Sequence, residues 1–318
     1  MSKRHCVCLG IGLLACTGEV DTSVGVLEPV RVIEGSFHPG ALVESSSGAP
    51  AITSIESASG LVLVGERDRL LSGRTSDDAY AIGLRFRELG SGWWTVPVQD
   101  LDPAYPGERD FQLRFDVGGG VPPGIHALAL AALDEQGRRG ELFELEVCVR
   151  DPLLPDDLNP CDPELLPPAL VIALSWDLDV DLDLIVDTPA GKRISAKTPT
   201  SYPGEGMPVP DEALDDPTLG VLLRDSNPAC EIDGRNAEAV VWAEPPSETG
   251  SYLVRADLFD ACGQSGASLS AVVYRRVQRD DGTWALRETQ RVDGAMFDIQ
   301  ASGGAGTPLY LMAVEGQT

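Results

Sequence analysis

Apolar and polar residues alternate in short runs along most of the chain, with the two-residue period of β-strands. In the first half, segments rich in Gly, Pro and acidic residues separate these runs and mark turns. The pattern predicts strands at residues 61–64, 79–86, 93–98, 111–115, 124–133 and 142–149. Six short strands at this spacing are typical of a β-sandwich of immunoglobulin-like type, which we expect over residues 51–150.

The second half continues in the same way. We expect a strand region at 169–187, as one long strand or two consecutive ones, then strands at 219–224, 237–242, 250–259, 267–279, 283–292, 295–300 and 308–314. Residues 198–218 carry five prolines and predict an irregular loop. Because no segment shows a sustained helical period, we predict an all-β fold with two β-sandwich domains, the second (169–318) a jelly-roll or similar sandwich.

Alternation is strictest in SWDLDVDLDL, residues 175–184, where Asp177, Asp179, Asp181 and Asp183 occupy every second position. On a β-strand all four carboxylates would point to one face, about 6.6 Å apart. Neighbouring charges at that distance repel by about 0.6 kcal/mol in water, and by more where water is scarce. The segment therefore predicts a strand face that needs either solvent or a bound cation.

A second acidic segment, residues 222–242, could meet the first one. Its oxygen-bearing side chains are Asp225, Asn227, Glu231, Asp233, Asn236 and Glu238. Calcium takes six to eight oxygen ligands in irregular geometry, so carboxylates from a strand and a loop would suit it. The alternative is a turn-rich loop, because Asp and Asn also favour turns. Neither segment is an EF-hand, because Leu182 stands where an EF-hand loop needs glycine.

The charge balance limits the range of partners. The 318 residues carry a formal net charge of −26, which argues against binding nucleic acid or an anionic membrane through a basic surface. Solubility explains most of the acids, and cation binding should be confined to specific clusters.

The first residues are typical of an export signal. Lys3, Arg4 and His5 precede a short apolar stretch, 6–14, which is too short to span a bilayer. The LLAC sequence that ends this stretch resembles a bacterial lipobox, which implies cleavage of residues 1–15 and lipidation of Cys16. Thr17, rather than Asp, fits the outer membrane of a Gram-negative cell. The alternative is an ordinary N-terminus with a chance cysteine.

Two segments predict connections. Residues 16–50 have no clear core pattern and include the stretch SSSGAP, so we expect a flexible tether between the lipid and the first sandwich. Residues 151–168 contain six prolines in eighteen positions, which predicts a semi-rigid linker between the two sandwiches.

Four cysteines remain in the exported chain: Cys148, Cys161, Cys230 and Cys262. An even number predicts disulfides, with three possible pairings. We favour Cys148–Cys161 and Cys230–Cys262, because each pair lies within one local region. A four-cysteine metal site is the alternative, but the chain has no C-x-x-C spacing.

Part of the second half resembles a known bacterial family. The motif W-D-x-D-V-D-L-D-L-x-V-x-x-P-x-G runs from Trp176 to Gly191, and D-S-N-x-x-C-x-I-D-G-x-N-x-E runs from Asp225 to Glu238. The motif P-x-x-x-G-x-Y-x-V-R and a Cys-Gly pair follow at 246–255 and 262–263. Over residues 170–275 the chain resembles YfaP-type bacterial domains, which implies no particular activity. Cys230 and Cys262 fall at cysteine positions of that family.

Two further resemblances extend this picture. Residues 122–147, PPGIHALALAALDEQGRRGELFELEV, resemble the last hairpin of bacterial immunoglobulin-like domains. The D-L-D strand with its distant acidic loop resembles, more faintly, the calcium-binding β-sandwiches of tellurium-resistance proteins. That second resemblance implies calcium as a cofactor, with Asp181, Asp183, Asp225, Asp233 and Glu238 as its ligands.

Motifs of the common hydrolases are absent from the sequence. His38 and His126 are not in an H-E-x-x-H setting, and there is no G-x-S-x-G elbow or P-loop. Only 6% of residues are aromatic, which leaves few platforms for sugar rings beside a pair of catalytic carboxylates.

We therefore expect a non-catalytic, lipid-anchored protein of the cell envelope. Its partners would be the membrane, through the lipid, and an envelope protein or polysaccharide, with no nucleic acid. The alternatives are a purely structural envelope lipoprotein without a ligand site and an accessory domain of polysaccharide hydrolysis.

Overall fold

The computed structural model of the protein describes residues 25–56, 59–101, 103–151, 161–162, 164–204, 210 and 215–316. Within these residues the named elements are β-strands and short 3₁₀ turns, so the all-β fold predicted from the sequence is confirmed. No helix in the described part of the chain has the length and apolar character needed to cross a membrane.

Residues 30–150 form two antiparallel-dominated sheets that pack face to face. Their strands are β1 (Val30–Val32), β2 (Ser36–Pro39), β3 (Ile52–Glu56), β4 (Leu61–Leu63), β5 (Arg69–Ser76), β6 (Ala81–Phe86), β7 (Gly92–Pro97), β8 (Glu108–Val117), β9 (Gly124–Leu133) and β10 (Phe143–Arg150). One sheet has the order β1-β8-β5-β3, and the other β2-β7-β6-β9-β10-β4. Only β4 and β10 pair in parallel among these described strands.

Alternation explains the core of this first sandwich. In β8, Phe111, Leu113, Phe115 and Val117 are buried, while the residues between them are exposed or half-buried. Leu128 and other inward residues of the opposite sheet complete the same hydrophobic cluster. Each sheet thus buries one apolar face against the other, as a sandwich requires.

Residues 170–315 form the second sandwich. Its strands are β11 (Leu170–Trp176), β12 (Asp181–Asp187), β13 (Arg193–Ile194), β14 (Val221–Leu222), β15 (Ala237–Trp242), β16 (Ser251–Asp260), β17 (Gly266–Gln278), β18 (Trp284–Phe297) and β19 (Leu309–Glu315). The five-stranded sheet has the order β14-β15-β11-β17-β18, and the four-stranded sheet β13-β12-β16-β19. Their facing residues form a second hydrophobic cluster.

The two sandwiches pack against each other through the five-stranded sheet. In β11, Leu170, Ile172 and Leu174 face the second core, whereas Val171 and Ala173 join the cluster of the first sandwich. Strand β11 is therefore buried on both faces, which explains why its sequence is apolar without alternation.

The prediction that four aspartates share one face of a single strand is wrong. Strand β11 ends at Trp176, the chain turns at 177–180, and β12 begins at Asp181 in the opposite sheet. The turn is closed by a hydrogen bond from the Val180 amide to the Leu178 carbonyl, 2.9 Å. The alternating pattern continues through residues 177–180 of the sequence. The strand is nevertheless interrupted there, because the chain crosses from one sheet to the other. Residues 169–187 were expected to form one long strand or two consecutive ones, and the structure has two consecutive strands.

Two other expectations also need correction. Part of the predicted tether (16–50) is structured, because Val30 and Val32 of β1 are buried against β8, and β2 pairs with β7. The predicted strand at 295–300 is not separate, because β18 continues through Phe297 and a 3₁₀ turn follows at 298–300.

Both favoured disulfides are present. The Cα atoms are 5.4 Å apart in Cys148–Cys161 and 5.5 Å apart in Cys230–Cys262, within the normal range for such bridges. The predicted signal (1–15), the lipidated Cys16 and most of the predicted linker (152–160 and 163) lie outside the described residues.

Candidate metal centre

Strand β12 directs two carboxylates to the outer face of the second sandwich. Its apolar residues Leu182, Leu184 and Val186 are fully buried in the core, so the alternating residues Asp181 and Asp183 point away from it. Alternation thus holds within β12, although it fails across the preceding turn.

The neighbouring strand β16 places further acids opposite these two. In the antiparallel register Asp183 pairs with Asp257, and Asp181 pairs with Asp260 across a β-bulge. Like charges directly opposite on neighbouring strands destabilise a sheet unless solvent or a cation separates them. This strand pair therefore carries electrostatic repulsion at its solvent face.

The third acid, Asp225, comes from the segment between β14 and β15, residues 223–236, which we call the Asp225 loop. Buried Asn227 fixes this loop from inside: its Nδ2 donates to the Val180 carbonyl (3.0 Å), and its Oδ1 accepts from the Asp233 amide (2.9 Å). Asn227 has φ = 60°, in the left-handed region that Asn tolerates better than most residues. The loop therefore has a defined shape.

The loop is also tied to the four-stranded sheet. The Ala229 amide donates to Asp181 Oδ2 (2.7 Å), and the disulfide joins Cys230 to Cys262, just beyond β16. These two links hold the loop over the end of the β12–β16 pair.

The result is a cluster of three carboxylates. One oxygen from each of Asp181, Asp183 and Asp225 lies within 4.8 Å of the other two. Two oxygens that share one calcium ion at 2.3–2.6 Å can be at most about 5 Å apart. The spacing of the three carboxylates therefore suits a single bound calcium ion.

The cluster lies in an open cleft of about 350 Å³ on the outer face of the four-stranded sheet. Asp257 lines the same cleft, and its walls include Phe259, Pro228 and Pro308. The cleft is open enough to admit solvent as well as an ion.

Burial and mutual repulsion disfavour the charged forms of these acids. Burial raises the pKa of Asp183 to about 7, reinforced by the charges of Asp181, Asp225 and Asp257. Burial also raises the pKa of Asp181 to about 6, although the hydrogen bond from Ala229 opposes the shift. The pKa values of Asp225 and Asp257 are raised as well, again chiefly by burial.

Two basic side chains lie beside the cleft. The positive charge of Lys197, which lines the cleft, opposes the rise in pKa that burial causes at Asp183 and Asp257. The charge of Arg193 opposes the rise at Asp257 as well, although its Nε donates to Asp187 Oδ1 at 2.8 Å and its pKa is raised chiefly by that bond. The four carboxylates of the cleft therefore outnumber its nearby positive charges.

The structure places the other two predicted ligands beside the cluster, with protein partners of their own. Glu238 on β15 is 1% exposed and accepts from two amides, Leu184 (2.7 Å) and Ser226 (3.0 Å). Burial raises its pKa well above the usual value. Asp233 accepts from the Ser226 hydroxyl (2.9 Å) and from the Arg235 amide (2.9 Å). Both residues are placed to shape the Asp225 loop.

The first two aspartates of the alternating run are exposed and face other partners. Asp177 Oδ1 accepts from the Ser268 amide (2.8 Å), and Asp179 Oδ1 accepts from Asn236 Nδ2 (3.3 Å). A second group of potential metal-binding residues, Cys230, Asp260 and Cys262, is of a different kind, because both sulfurs are in the disulfide.

Sequence reasoning missed Asp257 and Lys197. The sequence contains a signal for Asp257. In SYLVRADLFD the apolar residues at 252, 254, 256 and 258 face the core, so alternation places Asp257 on the opposite face. Lys197 had none, because it reaches the cleft from a turn after β13.

Two of the three histidines, His38 and His126, belong to the described residues, and both lie in the first sandwich. His126 is 4% exposed, its Nε2 is 2.8 Å from the Pro122 carbonyl, and burial lowers its pKa to about 4. His38 stacks on Trp93, with ring centroids 4.5 Å apart, and bonds to Thr95. Both rings have structural partners.

Comparisons with known proteins give no family. No family model matches the chain, and no curated protein matches it. Among solved structures, fibronectin(III)-like modules of Clostridium thermocellum CbhA show 12% identity and a TM-score of 0.17, covering 81% of this chain and 97% of theirs. The collagen-binding domain of the Erysipelothrix rhusiopathiae surface protein RspB shows 8% identity and a TM-score of 0.16, covering 86% and 94%. Both similarities are too weak to assign a function.

Proposed function

We propose that this chain is a non-catalytic binding protein of the bacterial cell envelope, held to the outer membrane by a lipid on Cys16, and that its second sandwich binds calcium. The observation that carries the calcium site is the convergence of Asp181, Asp183 and Asp225 in one open cleft. The exported, lipid-anchored part rests on the sequence of residues 1–16.

The chemistry of the donor set favours calcium over other metals. The cluster offers carboxylate oxygens alone, which suit calcium, magnesium or manganese rather than zinc or copper. Magnesium demands near-octahedral geometry and keeps several waters, whereas calcium tolerates the irregular arrangement of a strand and a loop. Water entering through the open side of the cleft would complete the coordination.

In this role the ion joins the loop to the sheet. Asp181 and Asp183 belong to β12, whereas Asp225 belongs to the Asp225 loop, so one ion contacting all three links two parts of the sandwich. The ion would also cancel the repulsion between acids that face each other on β12 and β16. A calcium-stiffened surface of this kind is suited to contact an envelope protein or polysaccharide.

Thermal denaturation of the full chain tests the calcium site. Extracellular calcium sites have Kd values of about 10⁻⁴–10⁻³ M. At 10 mM calcium this corresponds to about 1.4–2.7 kcal/mol of stabilisation, a rise of a few degrees in Tm. Magnesium at the same concentration should raise Tm less. An unchanged Tm with calcium would contradict the proposal.

Metabolic labelling with palmitate tests the anchor. Wild-type protein expressed in a Gram-negative host should carry the label and fractionate with membranes, and Cys16→Ser should do neither. The double variant Cys148→Ser, Cys161→Ser serves as a control, because it removes two cysteines outside the lipobox without leaving an unpaired partner and should keep the label. Equal labelling of wild type and Cys16→Ser would contradict lipidation at this residue.

A further inference from the structure

The Asp225 loop is held on its far side by a residue that follows the first sandwich. Asp151 comes directly after β10, the strand that ends at Arg150. Its Oδ2 accepts from Arg224 Nη2 at 2.7 Å, and its Oδ1 accepts from Arg235 Nη1 at 2.6 Å. Arg224 and Arg235 stand at the beginning and end of the loop, so one carboxylate connects both of its ends.

This ion triplet is shielded from water. Asp151 is 2% exposed, and the side chains of Arg224 and Arg235 are 12% and 14% exposed. Arg224 Nε and Nη1 have no hydrogen-bond partner within the described residues, so Asp151 is its charged contact there. Removing the carboxylate would leave two poorly hydrated guanidinium groups facing each other, which is strongly unfavourable.

The backbone of the loop is also confined at this side. A Cβ atom on Gly119, in the turn after β8, would lie 2.3 Å from the Arg235 carbonyl oxygen. The turn of the first sandwich therefore packs directly on the end of the loop, and a larger residue could not be accommodated there. Asp151 and this turn bound the loop opposite the cleft.

The two ends of the loop are also connected through its interior. The Ser226 hydroxyl donates to Asp233 Oδ1 at 2.9 Å, and the Asp233 amide donates to Asn227 Oδ1 at 2.9 Å. Asp225 lies between Arg224 and Ser226 in this connected loop, so its position depends on where Arg224 and Arg235 are held.

We propose that Asp151 is a positioning residue for the cleft: by fixing both ends of the Asp225 loop it sets the distance from Asp225 to Asp181 and Asp183. This inference rests on the proposed calcium site. Its consequence is that the first sandwich and the residue after it determine the cation affinity of the second sandwich. Residues that hydrogen-bond directly to metal ligands typically change metal affinity 10- to 100-fold when removed, and Asp151, which acts through the neighbouring Arg224, is expected at the lower end of this range.

The test compares two matched variants of the full chain, Asp151→Asn and Glu88→Gln. Glu88 is likewise a carboxylate of the first sandwich between two arginines of the second, the shielded Arg279 (3.1 Å) and the exposed Arg287 (3.6 Å). These arginines belong to the β17–β18 hairpin and not to the Asp225 loop. Both variants weaken the contact between sandwiches, but only Asp151→Asn frees the loop.

Two readouts are measured: calcium affinity by calorimetry, and amide hydrogen exchange of residues 223–236 without calcium. We expect Asp151→Asn to weaken calcium binding about tenfold or more and to speed exchange in the loop. Glu88→Gln should leave both at wild-type values. Unchanged affinity and exchange in Asp151→Asn, or equal changes in both variants, would overturn the inference.

Two outcomes separate this inference from the proposed function. If wild type binds no calcium, the proposed function fails, whereas faster exchange confined to the loop of Asp151→Asn still supports the positioning role. If Asp151→Asn does not fold, Arg235→Gln removes one of the two donors and keeps the Asp151–Arg224 pair. Weaker calcium binding in Arg235→Gln supports the inference, and wild-type binding overturns it.

Discussion

Asp183 and Asp257 lie directly opposite each other on two neighbouring antiparallel strands, and both face the same cleft. Like charges in this arrangement destabilise a sheet by about 0.2–1 kcal/mol. Burial raises the pKa of each, so the pair is also costly to ionise. Such an arrangement is relieved either by taking up protons or by binding a cation.

The effect of Asp257→Asn on stability should depend on calcium. Without the ion the substitution removes a repulsion, so we expect it to raise the free energy of unfolding by about 0.2–1 kcal/mol. With 10 mM calcium it removes a negative charge from the cleft, so the calcium-induced rise in Tm should shrink. Chemical denaturation with and without calcium measures both.

Asp187→Asn is the matched control on the same face of β12. Asp187 accepts from Arg193 (2.8 Å) and Arg255 (3.0 Å), so its loss should destabilise the protein by up to about 1 kcal/mol with or without calcium. If Asp187→Asn and Asp257→Asn change the unfolding free energy in the same way, repulsion in the cleft does not explain the effect of Asp257→Asn.

The stability of the calcium-free protein should depend on the protonation of the cleft. Burial raises the pKa of Asp181 to about 6 and that of Asp183 to about 7, above the ordinary 3.8 of the unfolded chain. Between pH 4 and 7 these two carboxyl groups therefore bind more protons in the folded state than in the unfolded state, so their contribution to stability falls as pH rises.

This contribution is isolated by comparing wild type with the double variant Asp181→Asn, Asp183→Asn. Acids whose pKa is lowered by arginines, such as Asp187, act in the opposite direction but are common to both proteins. We expect the difference in unfolding free energy between the two proteins to shift in favour of the variant as pH rises from 4 to 7. A difference independent of pH contradicts the electrostatic account of the cleft.

The two disulfides should have different effects on the cleft. In the chain-entropy model, removing either bridge, over 32 or 13 residues, costs about 3–4 kcal/mol of stability. Only Cys230–Cys262 joins the Asp225 loop to the end of β16. We therefore expect Cys230→Ala with Cys262→Ala to lower calcium affinity, and Cys148→Ala with Cys161→Ala to lower stability alone. Equal calcium affinity in the two double variants contradicts this.

Glu238→Gln distinguishes a structural carboxyl from a metal ligand. Two amides donate to different oxygens of Glu238, and a glutamine side chain can accept at one oxygen only. Because the other amide would face an NH₂ group, we expect a loss of about 1–3 kcal/mol in unfolding free energy without calcium. Wild-type stability combined with lost calcium binding would instead establish Glu238 as the ligand that the sequence predicted.

Alternation predicted many of the strands that bury one apolar face, and failed where context decides. The bounds of β9 coincide with the predicted 124–133. Strands β1 and β2 were missed because they are short, and their burial depends on β8 and β7, more than 50 residues away in sequence. Strand β3, which has no fully buried residue, and strand β5, whose inward positions include Gly73 and Thr75, were missed because neither has a clear apolar face. The turn at 177–180 was missed because alternation continues through it, and only packing against the opposite sheet requires the chain to cross there.

The acidic cluster was predictable in part. Asp181 and Asp183 follow from alternation within β12, and Asp225 from an acidic, turn-rich segment next to a strand. The contacts of Asp233 and Glu238 depend on amides that the folded loop brings to them, so their partners could not be predicted from spacing. Asp151 carried no signal either, because it meets Arg224 and Arg235 across 73 and 84 residues.

Calorimetric titration of calcium into the full-length, metal-free protein at pH 8 tests the central claim most directly. We expect one ion per chain with a Kd of about 10⁻⁴–10⁻³ M, and no binding to the double variant Asp181→Asn, Asp183→Asn. The variant Asp177→Asn, with Asp179→Asn, should bind as wild type does, because both residues lie outside the carboxylate cluster. No binding to wild type, or equal binding to both double variants, would contradict a calcium site in this cleft.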